Sequence, residues 1–430
     1  MAGKKDSVVM LILLLAGTLM VSFEFQTVEA SGTIYIRADG SIDPPAAPIT
    51  SSDNITYTVT GSIYDSIVVE RDNIVIEGAN YVIQGTGGTG VDLSERHNVT
   101  IRHVKVKAFD YGIWLELSSD VQIHSNNIST NPSNYAGIWV YNSSGSSVFN
   151  NNFTGNYDAV RLEDSSNNSV YENNLTSNFR GIMISSTFGV SQYNDIHRNY
   201  IAGNQHGIRL QYSSNNTVSR NYVAENYFGI WLYRSSNNSI YGNNVTLSTY
   251  EGLFVEYSPQ NTIAGNNVEN NPNGIEFKSS RASRESSNNT VYHNSFVGNT
   301  VQVKSYYSAN SWDDGYPSGG NYWSDYAGID DYNGPNQDQL GSDGIGDTQF
   351  VIDAENTDTY PLMRPKSPMP GDVNADGIVD IFDIGYISAH WHPGPPTGPL
   401  GYDVYADVNH DGAVDIFDIG ITSAHWGQSW

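Results

Sequence analysis

Short apolar phrases return along this chain at a near-constant interval. Gly112-Ile113-Trp114-Leu115 is followed by Gly137-Ile138-Trp139-Val140, Gly181-Ile182-Met183-Ile184, Gly207-Ile208-Arg209-Leu210 and Gly229-Ile230-Trp231-Leu232. With Gly90, Ala159, Gly252 and Gly274 included, the intervals are 22, 25, 22, 22, 26, 22, 23 and 22 residues. Apolar and variable positions alternate singly within each phrase, the period of a strand, and a repeat of this length is too short for helical repeats. A second phrase keeps step: residues 123–126, 148–151, 170–173, 218–221, 240–243 and 291–294 each read apolar-x-x-Asn. Two short strands with turns are therefore expected per period. Gly permits the tight corner, and stacked Asn side chains can hydrogen-bond to their equivalents one coil away. The expected fold is all-β, a parallel β-helix in which no coil can bury its apolar face without neighbours.

Alternation also fixes what such a ladder displays. In each Gly-Ile-x-Leu strand, x and the residue after Leu face outward. One outward column then reads Asp92, Trp114, Trp139, Arg161, Met183, Arg209, Trp231, Phe254, Glu276, and the other Ser94, Glu116, Tyr141, Glu163, Ser185, Gln211, Tyr233, Glu256, Lys278. Trp114, Trp139, Tyr141, Arg161, Arg209, Trp231, Tyr233 and Phe254 are the candidate substrate-binding residues. Aromatic rings take the apolar faces of sugars, charged groups take their hydroxyls, and a regular stripe suits a regular polysaccharide. The competing reading is that these rings pack beneath the loops of the longer coils. Glu116 and Glu163, with Tyr141 between them and Arg161 alongside, are the candidate catalytic residues. Two coils put the carboxylates about 9.6 Å apart, the upper edge of the spacing for inverting glycoside hydrolysis.

These residues resemble the right-handed parallel β-helix proteins of the NosD-like and carbohydrate-binding or sugar-hydrolase group, which also carry Ser-Ser-Asn-Asn turns, here at 165, 213, 235 and 286. The likeness covers residues 65–305. The segments Gly319-Gly320-Asn321-Tyr322-Trp323-Ser324-Asp325-Tyr326, Asp343-Gly344-Ile345-Gly346-Asp347 and Tyr360-Pro361-Leu362-Met363 look like the end of secreted members. The NosD name implies copper-site maturation, which needs His, Met or Cys close together. Met183 is the only Met of the coils, and His124, His197, His206 and His293 read as turn residues at different places in their coils, which disfavours copper.

Residues 372–391 recur at 407–426, an offset of 35 with sixteen of twenty positions identical. Both copies open with Asp-Val-Asn-x-Asp-Gly. Oxygen ligands at loop positions 1, 3, 5, 9 and 12, a backbone carbonyl at 7 and Gly at 6 are what Ca²⁺ takes from a 12-residue loop. The first loop supplies Asp372, Asn374, Asp376, Ile378, Asp380 and Asp383; the second supplies Asp407, Asn409, Asp411, Ala413, Asp415 and Asp418. An ordinary EF-hand loop ends in Glu, whereas these end in Asp and only the following helix is evident, starting near Ile381 and Ile416. Residues 371–430 resemble dockerin, which implies two Ca²⁺ ions and a cohesin-like partner held mainly by the helices. Positions 10 and 11, small and hydroxylated in many dockerins, are here Ile381, Phe382, Ile416 and Phe417, the candidate partner-binding residues. Nine Asp and no Glu, Lys or Arg in this segment mean self-repulsion without cations, so ion binding and folding should be one event.

Lys4 and Lys5 ahead of the apolar run 8–23, with a small-residue site at Val28-Glu29-Ala30, read as a secretory signal peptide. No second hydrophobic span follows. The expected organisation is signal peptide 1–30, N-terminal cap 31–64, β-helix 65–306, C-terminal cap 307–363, Pro-rich linker 364–370 and dockerin-like domain 371–430. A net charge of −26 excludes a basic nucleic-acid groove, and zero cysteines exclude disulfides. Eleven Asn-x-Ser/Thr sequons fit an exported glycoprotein. The expected protein is secreted or on the cell surface. Its β-helix binds or processes polysaccharide, as a glycoside hydrolase, lyase or epimerase if catalytic, and its tail tethers it to a cohesin-like partner. The alternative is a non-catalytic cell-surface or adhesion protein.

Overall fold

A computed structural model describes residues 32–129, 135–366, 371–374, 379–393, 403–409 and 413–427. The signal peptide 1–30 lies outside the described residues. From the first coils to the last the chain winds as a parallel β-helix. Each coil carries three strands rather than the expected two: one of six residues, such as Tyr111–Glu116, and two of three, such as Gln122–His124 and Asn127–Ser129. They stack into sheets of 13, 12 and 11 strands, here called the long, second and third sheets. The two short strands had read as one because only Ser125 and Asn126 separate them. The corner residue is left-handed at Ser125, Asn150, Glu172, Arg198 and Arg220 (φ 52 to 58°), so it is not restricted to the Gly or Asn that would announce a turn.

Register holds along the long sheet, where Ile113, Ile138, Val160, Ile182, Ile208 and Ile230 pair in succession and each is fully buried. Buried polar groups at the corners are satisfied by ladders. The amide of Asn221 donates from its backbone and its Nδ2 to Oδ1 of Asn243, and the Nδ2 also reaches Ile196 O one coil below. The same pattern runs from Asn126 through Asn151, Asn173 and Asn199 to Asn321. Further ladders link Asn156, Asn178, Asn204 and Asn226, and Asn168, Asn194, Asn216 and Asn238.

The last coil is closed by aromatics. Phe296, Trp323 and Phe350 stack at 4.6 and 4.5 Å, and buried Asp358 accepts from Trp323 Nε1 at 2.8 Å and Asn321 N at 2.7 Å. Beyond it, helix α1 (Ile381–Ala389) and helix α2 (Ile416–Ala424) share a buried cluster with that closing segment, built from Ile345, Leu362, Val373, Ile387, Val404 and Val414. Arg364, expected to open a linker, lies between the rings of Tyr405 and Tyr386 at 3.8 and 4.8 Å. Among the described residues no helix is long and apolar enough to cross a membrane.

Candidate functional site

The outer face of the long sheet carries the two columns in the expected register. Trp114, Trp139, Arg161, Met183, Arg209, Trp231, Phe254 and Glu276 pair in that order, as do Glu116, Tyr141, Glu163, Ser185, Gln211, Tyr233 and Glu256. Their exposure differs from the expectation. Trp114, Trp139, Trp231, Tyr141 and Tyr233 are half-buried and Phe254 is buried, because the side chains of this face pack on one another. Trp114 and Trp139 meet edge to face at 5.0 Å, Arg161 lies 4.3 Å over Trp139, and Arg209 lies 4.1 Å over Trp231.

A third outward column was missed. It comprises the residues before each glycine or, in one coil, before Ala159: Tyr111, Ala136, Asp158, Arg180, His206, Phe228, Glu251 and Asn273. Strict alternation would turn them inward. The glycine itself faces the core, however, since a Cβ on Gly207 would meet Gly229 O at 2.5 Å and Val223 at 2.8 Å. Gly and Ile thus both face in, the alternation slips by one, and the preceding side chain emerges.

This column makes the face a charged site. Arg180 grips buried Asp158 through Nε and, at 3.2 Å, through Nη2. Arg161 lies 3.7 Å from Asp158 and 2.9 Å from Glu163, whose other oxygen accepts from Thr187 Oγ1 at 2.6 Å. The candidate catalytic pair is therefore unequal: Glu163 is buried and tied down, and Glu116 is half-exposed. Burial pushes the Asp158 carboxyl up while Arg180 and Arg161 pull it down. His206, 5.1 Å from the Trp231 ring, is pushed down to about 3 by burial and then by Arg209 and Arg180. Farther along, burial and the neighbouring Glu276 push Glu251 up to about 8.

Histidines do not gather for copper. His124 and His197 share one column of the second sheet, contrary to the expectation of different places, but they end a stack through Phe149 and Tyr171. His206 is on the long sheet, and His293 contacts Ser318 O at 2.8 Å. With no cysteine in the chain, and no group of three His, Asp or Glu among the described residues suited to a metal, the donor set does not fit copper.

In the tail the described loop residues fit calcium by donor type, all oxygen, with Asp372 and Asp407 buried. Asp376, Ile378 and Asp411 lie outside the described residues. Asp383 accepts from the backbone amides of Val373, Asn374 and Asp380, and Asp418 from those of Val408, Asn409 and Asp415, so each position-12 carboxylate closes its own loop. Asp380 and Asp415 cap the helices. Ala413 is among the described residues, immediately before Val414, which pairs with His392. Ile381, Phe382, Ile416 and Phe417 are 59, 70, 60 and 66 % exposed, which removes them from the core. Trp391 and Trp426, at the ends of the repeats, are also exposed.

The comparisons agree with this division. Residues 50–201 and 89–234 match the family model described as right handed beta helix region, residues 191–328 match periplasmic copper-binding protein (NosD), and residues 370–423 match dockerin type I domain. The chain is thus a right-handed parallel β-helix protein with a C-terminal dockerin type I domain. Dockerin type I domains bind calcium and dock on cohesins. No curated protein matches. Similar solved structures include the A-module of mannuronan C-5 epimerase AlgE6 from Azotobacter vinelandii (13 % identity, 65 % of this chain and 89 % of that one, TM-score 0.46). Another is DFA-IIIase from Arthrobacter chlorophenolicus A6 (12 %, 55 % and 76 %, 0.37).

Proposed function

We propose that this is an exported protein whose long-sheet face binds polysaccharide and whose tail, holding two Ca²⁺ ions in the loops from Asp372 and Asp407, tethers it to a cohesin-like partner through Ile381, Phe382, Ile416 and Phe417. The observation that carries the binding half is the unbroken register of Trp114, Trp139, Arg161, Met183, Arg209 and Trp231 on consecutive strands. Spaced about 4.8 Å apart, these side chains form a continuous stripe along the solenoid. Binding without cleavage is the reading favoured for Glu116 and Glu163, since Arg161 and Thr187 hold Glu163 in an ion-paired network.

A polysaccharide panel run on the whole chain in calcium tests it, with gel retardation for binding and reducing ends or unsaturated-uronide absorbance for cleavage. Retardation is expected from at least one polymer, weakened about tenfold, roughly 1.4 kcal/mol, when Trp114 and Trp139 are both changed to Ala. Retardation unchanged in that double variant would remove the face from the account, and product release would make the protein an enzyme.

A further inference from the structure

We infer that the centre of the long-sheet face is a carboxylate-binding subsite, so that the polysaccharide it takes carries uronic acid residues. This rests on reading that face as a polysaccharide site. Three arginines project from three consecutive coils, Arg161, Arg180 and Arg209, against two carboxylates, Asp158 and Glu163. Arg161 and Arg180 are ion-paired to those two. Arg209 differs: among the described residues no carboxylate lies within ion-pair distance of it, and its guanidinium rests only on the Trp231 ring.

Unused donors surround it. Arg209 Nε, Trp231 Nε1, Ser185 Oγ, Arg161 Nε and Trp139 Nε1 are all buried without a hydrogen-bond partner. All lie on neighbouring strands of one face. A buried donor left without a partner forfeits the hydrogen bonds it made to water. Glu163 Oε2 and His206 Nδ1 of the same face are also buried without a hydrogen bond, Glu163 Oε2 lying 2.9 Å from Arg161, so donors outnumber acceptors here and a ligand oxyanion would satisfy them; burial already disfavours the Arg209 charge enough to pull its pKa down. A planar fork backed by an indole suits a planar carboxylate held by two parallel hydrogen bonds. The surrounding protein, at −26, repels polyanions generally, so the patch selects rather than merely attracts.

Calorimetry on the whole chain in calcium, with oligomers of mannuronate, guluronate, galacturonate and glucuronate, each beside its carboxyl-reduced form and a sulfated neutral oligomer, tests this. At least one uronate is expected to bind ten or more times tighter than its reduced form. Arg209→Gln should abolish that preference, bringing the affinity for the uronate down to that of its reduced form, and Arg209→Lys, which keeps the charge but not the fork, should restore part of it. An unchanged preference in Arg209→Gln, equal binding of acid and reduced forms, or preference for the sulfated oligomer overturns the subsite. If only neutral oligomers bind, the subsite falls and the polysaccharide reading stands; if nothing binds, both fall. Far-UV circular dichroism of each variant must match the parent.

Discussion

At the residue scale, the asparagine ladders hold the corners. Asn221 takes its backbone N–H and its side chain into bonds with Asn243, Ile196 O and Ser219 O, all buried, so no single replacement satisfies its neighbours. Asn221→Leu should destabilise by at least about 1–3 kcal/mol, read as a lower urea midpoint, because the facing carbonyls lose their donor. A change below about 0.5 kcal/mol would mean that water replaces the side chain. One ladder was legible in the apolar-x-x-Asn phrase. The one through Asn156, Asn178, Asn204 and Asn226 was not, because Ser248 follows it in the next coil and breaks the repeat of letters while keeping a bond to Asn271. The sequons have a structural source too. Asn167, Asn215 and Asn237 are left-handed at φ 56 to 59°, a conformation Asn tolerates, and each is followed by a ladder Asn and then Ser or Thr. Glu251 supplies a pH test. Its folded pKa of about 8 lies above the ordinary carboxyl value, so the stability it gives is complete in acid and is lost as pH rises toward and through 8. Glu251→Gln should flatten the fall of the urea midpoint between pH 5 and 8, the range those two values bracket; an unaltered slope would contradict a protonated Glu251.

At the element scale, the two outward columns and their order were readable because one residue per strand position repeats every coil. The third column was hidden by the inward-facing glycines. Gly207→Ala should therefore disturb the site as well as the core, since its Cβ would press on the Gly229 carbonyl. In the tail, the Asp-Val-Asn-x-Asp-Gly loops and the helices were legible, but the part played by Asp383 and Asp418 was not: spacing cannot distinguish an ion ligand from a carboxylate that also gathers three loop amides. Chelating calcium should remove the α1 and α2 helical signal and abolish partner capture while the β signal of the coils persists. Capture that survives the chelator would contradict the tether.

At the scale of the whole molecule, the coils, their aromatic closure and the tail form a continuous chain of contacts, with Arg364 between Tyr386 and Tyr405 at the start of the expected stiff, Pro-rich linker. Three prolines in residues 364–370 signal stiffness, but no local pattern reports that Ile345 and Leu362 share a core with Val373 and Ile387. The proposed functions divide along the same axis, with glycan assigned to the solenoid face and the partner to the exposed ends of the tail helices. The most direct test is oxidative footprinting of the tryptophans with and without a bound oligosaccharide. Protection should fall on Trp114, Trp139 and Trp231 and leave the exposed Trp391 and Trp426 unchanged. Saturating glycan that protects the tail tryptophans, or none of these five, would contradict a binding face on the long sheet.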